Sequence, residues 1–214
     1  MFKRKILSKL EAWKQDERHK PLILRGARQV GKTTVVNEFG SQFDNYLYFN
    51  LEISESVRLF EMDIPLNDLV NMLFASLGKS QKEGSTLIFI DEIQNSPKTI
   101  ALLRYFYEQR PDLYVIAAGS LLENLVDVNV SFPVGRVMYL ALRPCSFYEF
   151  LGAIGKNNLL TILSQKAEYS IAFHEQLMHQ FNQYTIIGGM PEAVQHYAET
   201  QDIIAIEDVY ETLV

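Results

Sequence analysis

"GARQVGKT", Gly26 to Thr33, is the stretch on which the reading of this chain turns. It fits G-x-x-x-x-G-K-[ST], a pattern in which glycines let the backbone close around phosphate oxygens. By average residue usage, a chance match in a chain of 214 residues has a probability of roughly 1%. The flanks supply the context that the chemistry needs. "PLILRG" is a short apolar strand running into a glycine, and "TTVVNEFG" reads as a helix stopped at Gly40. The backbone N–H groups of Gly26, Ala27, Arg28, Gln29, Val30 and Gly31, at a helix N-terminus, suit an anion. Lys32 is placed to neutralise the β- and γ-phosphates of a nucleotide. The Thr33 hydroxyl is placed to ligate Mg²⁺, and Thr34 to reach an α- or β-phosphate oxygen.

A phosphate loop needs a carboxylate for its metal, and "LIFIDEIQ", Leu87 to Gln94, offers two. Four apolar residues predict a strand buried on both faces. Adjacent acids at the end of such a strand need a reason, because unpaired charge is costly to bury. Asp91 fits the metal acid. Glu92 fits a general base for an attacking water, or alternatively a cap for the following turn. Asn50 ends the strand "YFNLE" and is placed to bond Glu92, or is an exposed turn residue. Ser120 closes the apolar strand "VIAAGS" as a γ-phosphate sensor or a helix N-cap. Arg136, in "FPVGRV", is a candidate transition-state arginine for its own subunit or a neighbour, or a surface arginine. The guanine-reading pattern N-K-x-D is absent, which favours ATP over GTP. His19, His174, His179 and His196 show no zinc-ligand spacing.

Outward from these motifs, the chain alternates. Strands are expected at "PLILRG", "NYLYFNLE", "TLIFID", "LYVIAAGS" and "RVMYLAL". Helices are expected over residues 2–16, after Lys32, over 66–77, and from Ser96-Pro97 to about Arg110. Such alternation predicts an α/β fold with a largely parallel sheet. After Pro144 the texture becomes helical, in "CSFYEFLGAIG", the run after Asn158, "IAFHEQLMHQF" and "PEAVQHYAE". The expected division is an N-terminal amphipathic helix at 1–20, a core at 21–143, and a helical lid at 144–214. Ile203, Ile206, Val209, Tyr210 and Leu213 repeat at helical spacing to the end, so this helix either packs on something or has been cut, and a further domain is expected beyond Val214.

Composition narrows the class. Hydrophobic residues make up 48% and charged residues 21%, as in ordinary soluble domains. The single Cys145 excludes an internal disulfide and suits a reducing cytoplasm. No apolar run approaches the roughly 18 residues of a membrane span, so no membrane partner is expected. The net charge of −6 divides into +4 over residues 1–20 and −10 over the remainder. Phe2, Ile6, Leu10 and Trp13 form one apolar stripe, so the basic residues read as a solvated helix face, with a nucleic-acid or acidic-partner contact as the alternative.

Together, "LRGARQVGKTT", "YFNLE", "FIDEIQ", "AAGSLL", "PVGRV", "LRPCSFYEFL" and "GGMPEAV" resemble the AAA-type P-loop ATPases, and among them the prokaryotic AAA_14 family. The resemblance implies a three-layer P-loop NTPase fold with a parallel sheet in the order 5-1-4-3-2 and a C-terminal helical lid. It implies Walker A roles for Lys32 and Thr33 and Walker B roles for Asp91 and Glu92. Asn50 matches the glutamate-switch position and Ser120 matches sensor 1. A DUF4143 domain, described as resembling a restriction-nuclease fold, usually follows. One departure stands out: "GGMPEAV" has Pro191 where many AAA proteins carry a sensor-2 arginine.

The function expected is Mg-dependent ATP binding and hydrolysis, coupled to a second domain or to a nucleic-acid or protein partner. The alternative is a slow ATP-dependent switch that signals by assembly, and a homo-oligomer stays open. A helicase lobe of the SF2 type also carries an Asp-Glu pair after a strand, but the helical tail does not suit it.

Overall fold

The structure is a computed structural model that describes residues 2–120, 133, 135–165 and 170–213. Leu121 and Leu122 of "AAGSLL" and Val134 of "PVGRV" lie outside the described residues. The chain divides into two compact units, Ser8–Leu142 and Met1–Leu7 with Arg143–Val214.

The first unit is built on five strands: β1 (Leu22–Arg25), β2 (Asn45–Asn50), β3 (Thr86–Asp91), β4 (Leu113–Gly119) and β5 (Met138–Ala141). They form one sheet in the order β2-β3-β4-β1-β5, with every neighbouring pair parallel. Read from the other edge, this is the order 5-1-4-3-2. All six residues of β3 are buried, because the strand has a neighbour on each side and helices over each face. The apolar run of "LIFID" therefore occupies the middle of the sheet. The edge strand β2 alternates instead, burying Asn45, Leu47 and Phe49 and half-exposing Tyr46, Tyr48 and Asn50.

Helices cover both faces. On one, α3 (Ser54–Phe60), α4 (Leu66–Ser76) and α5 (Pro97–Gln109) set Phe60, Leu69, Leu73, Ile100, Leu103 and Phe106 against Ile88, Ile90 and Val115. Ser96 starts α5 as expected: its hydroxyl accepts the Thr99 N–H and Pro97 takes the first turn. The short α3 was not expected, since "SESVRLF" offers only two turns of mixed polarity. On the other face lies α2 (Lys32–Gly40) with the unit's part of α1 (Ile6–Gln15); Trp13 meets Phe39 and Tyr114 there. The first helix begins at Ile6, four residues later than its apolar stripe suggested.

The register fixes where chemistry can occur. Asn50 aligns with Asp91, and Arg25 aligns with Gly119. The carboxyl ends of β1 to β4 therefore emerge along one edge, where ligands of open parallel sheets bind.

The second unit contains α6 (Phe147–Ala153), α7 (Asn157–Gln165), α8 (Ile171–Ile187), α9 (Pro191–Thr200) and α10 (Ala205–Leu213). Phe150, Ile187, Val194, Tyr197 and Ile206 form its core, and Ile203, Val209 and Tyr210 pack against it. Ile203, Ile206, Val209 and Tyr210 of the last apolar stripe are thus used within this unit. The motif "GGMPEAV" has a local reason. A Cβ on Gly189 would stand 2.6 Å from the Cys145 carbonyl oxygen, and the Cys145 N–H donates to Gly189 O. Arg4 pairs with Glu149 at 3.0 Å, with both side chains largely buried.

Candidate active site

The strand β1 ends at Arg25, and residues 26–31 form the loop that leads into α2. Gly26 is required by space: a Cβ there would stand 2.4 Å from the Leu142 carbonyl oxygen. Gln29 and Gly31 have φ of 61° and 87°, values natural to glycine and costly for glutamine. Gly31 is the N-cap of α2, so the first N–H groups of that helix open into the loop.

Lys32 is the first residue of α2 and is only 6% exposed. Its Nζ donates to Gly26 O at 2.9 Å and to Ala27 O at 2.8 Å. Burial holds its pKa below the usual lysine value, against the opposing pull of Glu92 and Asp91. The next residue reaches across to the sheet: Thr33 Oγ1 donates to Asp91 Oδ2 at 2.5 Å. Asp91 Oδ1 accepts the Glu92 N–H at 3.0 Å. Burial raises the Asp91 carboxyl above its ordinary value, and those two hydrogen bonds work against the rise.

Glu92 sits in the left-handed region, with φ 53° and ψ 44°. It turns the chain from β3 into a short 3-10 helix, Ile93–Asn95. Its Oε2 accepts from Gln94 Nε2 at 2.5 Å. Ser120 follows β4, which lies between β3 and β1, so its backbone emerges between the acid pair's strand and the loop's strand. The Ser120 hydroxyl oxygen is buried without a partner among the described residues.

A loop that wraps its own lysine, a threonine bonded to a buried aspartate and a second acid beside it thus meet at the carboxyl end of the sheet. The sequence profile of AAA_14, an AAA domain, matches residues 18–151, more than half of the chain. The chain belongs to the AAA_14 family. The same fold appears in the Walker-type ATPase of Pyrococcus abyssi, at 17% identity and a TM-score of 0.57, covering 100% of this chain and 73% of that one. PCH-2 of C. elegans is similar over 98% of this chain and 68% of its own length, at 12% identity and a TM-score of 0.50. No curated protein matches the chain in sequence. The first unit is thus an AAA-type P-loop ATPase domain.

Two candidate residues make contacts away from the loop and the acid pair. Asn50 does not bond Glu92. Its Oδ1 accepts the Glu52 N–H at 2.8 Å, closing a local turn, and Gln94 is the residue that holds Glu92. Arg136 is not brought to the loop of its own chain. It precedes β5, whose first residue pairs with the first residue of β1, so it lies at the amino end of the sheet. There it pairs with Glu108 of α5 at 3.4 Å and is half exposed. The length of β1, Leu22–Arg25, therefore stands between it and the loop.

Two neighbours of the site were not singled out from sequence. Gln94 lay inside the quoted "DEIQ", but its contact depends on the left-handed turn at Glu92, which no spacing rule announces. Tyr48 lies on the same face of β2 as Asn50, and the alternation of "NYLYFN" carried that signal. Burial, then Asp91, Glu92 and Glu52, raise its phenol above the usual tyrosine value. Among the described residues, no three His, Cys, Asp or Glu side chains gather as an all-protein metal cage, and no helix is long and apolar enough to cross a membrane.

Proposed function

We propose that this AAA_14 chain binds Mg-ATP at the carboxyl ends of β1, β3 and β4 and hydrolyses it. The observation that carries this reading is the 2.5 Å contact of Thr33 with Asp91, which joins the residue after the loop lysine to the acid ending β3. Mg²⁺ takes one or two protein oxygens and leaves its other positions to phosphates and water. Thr33 and Asp91 are a donor set of that kind and would hold the ion. When bound, the ion neutralises charge on the phosphate oxygens.

The chain's own residues do the rest. The N–H groups of residues 26–31 and the start of α2 surround the phosphates. Lys32 exchanges the Gly26 and Ala27 carbonyls for β- and γ-phosphate oxygens. Glu92 accepts a proton from water as that water's oxygen bonds to the γ-phosphorus. The bond from the γ-phosphorus to the β–γ bridging oxygen breaks, leaving ADP and inorganic phosphate. Ser120, with its unpaired hydroxyl, donates to the γ-phosphate or orients the water. Arg136, exposed and far from its own loop, serves the site of an adjacent copy. Turnover drives a further domain or a partner.

A slow switch that signals by assembly is the second reading. It is favoured by a site whose lysine and threonine are already paired within the protein. Steady-state ATP turnover of wild type and Glu92→Gln, with Mg-ATP binding measured in parallel, separates the two. An enzyme predicts unchanged binding and a loss of roughly 10²- to 10⁴-fold in turnover for Glu92→Gln. Wild type that binds Mg-ATP yet turns over no faster than Glu92→Gln leaves only the switch.

A further inference from the structure

We infer that Gln94 is a positioning residue for the hydrolytic step, holding the Glu92 carboxylate in one orientation so that its other oxygen faces the water. The inference rests on the proposed role of Glu92 as base. Three observations lead to it.

The first is the contact itself. Gln94 Nε2 donates to Glu92 Oε2 at 2.5 Å, across only two residues. An ionised carboxylate accepts and cannot donate, so only the NH₂ end of the amide can face it. The bond engages one carboxylate oxygen, and a base needs one free oxygen with a fixed lone-pair direction. A third group that orients the base is a recurring part of such sites.

The second is what the contact leaves behind. With its NH₂ on Glu92, the Gln94 carbonyl oxygen is buried and has no partner among the described residues. An unsatisfied buried acceptor costs about 1–3 kcal/mol. A glutamine retained for the fold alone would have both ends paired, as Asn45 does: its Nδ2 donates to Lys82 O and its Oδ1 accepts the Lys82 N–H. Gln94 spends its donor on Glu92 and leaves its acceptor unpaired among the described residues.

The third is the backbone. Glu92 has φ 53°, which a glycine would adopt more readily, and the 3-10 turn that follows brings residue 94 back beside residue 92. A strained turn and an unpaired acceptor therefore coincide at one contact, and that contact is with the proposed base. Asn50, at the end of the neighbouring strand, accepts the Glu52 N–H through its Oδ1, and among the described residues the amide that reaches Glu92 is that of Gln94.

The test uses Gln94→Met, which keeps side-chain length and removes the amide. Mg-ATP affinity should stay within about twofold of wild type while turnover at saturating ATP falls about tenfold, a part of what a general base supplies. The unfolding temperature should hold or rise, because an unsatisfied acceptor has been removed. In a Glu92→Gln background the same substitution should change turnover no further, since the two residues act as one unit. Equal turnover in wild type and Gln94→Met overturns the inference, and so does an additive loss in the Glu92→Gln background. Faster turnover would mean that Gln94 restrains Glu92. A joint fall of turnover and unfolding temperature would make the role structural. Wild type that binds Mg-ATP without turnover overturns the proposed hydrolysis and this inference with it; the other failures leave the hydrolysis standing.

Discussion

The two ends of the sheet in the first unit are built on opposite terms. At the amino end, side chains satisfy one another. His19 stacks on Tyr114 with ring centres 4.0 Å apart, and Trp13 and Phe43 meet Tyr114 edge-on. Their polar atoms are paired: Trp13 Nε1 donates to Lys20 O at 2.8 Å and the Tyr114 hydroxyl to Lys14 O at 3.1 Å. At the carboxyl end, φ is positive at Gln29 and Glu92, and buried polar atoms of Arg25, Gln94 and Ser120 lack partners among the described residues. No buried side-chain atom of the amino end shares that condition among the described residues. One end therefore supplies stability, and the other holds polar groups in arrangements that favour a ligand over the empty fold.

The contrast breaks if a change at the amino end damages the site, or if one at the carboxyl end unfolds the protein. The largest effect is expected at Trp13, which is 3% exposed and meets three aromatic rings. Trp13→Ala should lower the unfolding free energy by about 3–5 kcal/mol in a denaturant titration. Nucleotide affinity under folding conditions should not change. A loss of affinity in the folded variant would mean that the two ends are coupled.

A smaller and opposite effect is expected at Ser120. Ser120→Ala removes an unpaired buried hydroxyl, so stability should hold or rise slightly. Turnover should fall several-fold if the hydroxyl meets the γ-phosphate or its water. A helix cap would behave in the reverse way, losing about 1 kcal/mol of stability with turnover unchanged. The Glu92→Gln and Gln94→Met measurements sharpen the same contrast, since both should spare the fold and reduce the chemistry.

Much of this was legible in the sequence because the signals are local. The loop Gly26 to Thr33 carries its own turn and helix start and directly follows its strand, Leu22–Arg25. The apolar run Leu87–Ile90 names a central strand by having no polar face. Ser96-Pro97 announces a helix through its cap and fixed φ. Non-local facts were not legible. That Arg136 lies at the far end of the sheet follows from the pairing of Met138 with Leu22, a register no single strand encodes. That Gln94, rather than Asn50, holds Glu92 follows from one positive φ in a non-glycine residue. Such a torsion is imposed by the packed neighbours of the turn and leaves no mark on composition or periodicity. The short α3 escaped because seven residues give too few repeats to show a face.

The central claim is that the carboxyl end of the sheet receives a nucleoside triphosphate through Lys32. A calorimetric titration of Mg-ATP into wild type and Lys32→Ala tests it most directly. A charged contact of about 3 kcal/mol corresponds to an affinity lower by roughly 100-fold in the variant, with its unfolding temperature held within a few degrees of wild type. Equal affinity in the two proteins would place the phosphates elsewhere and contradict the account.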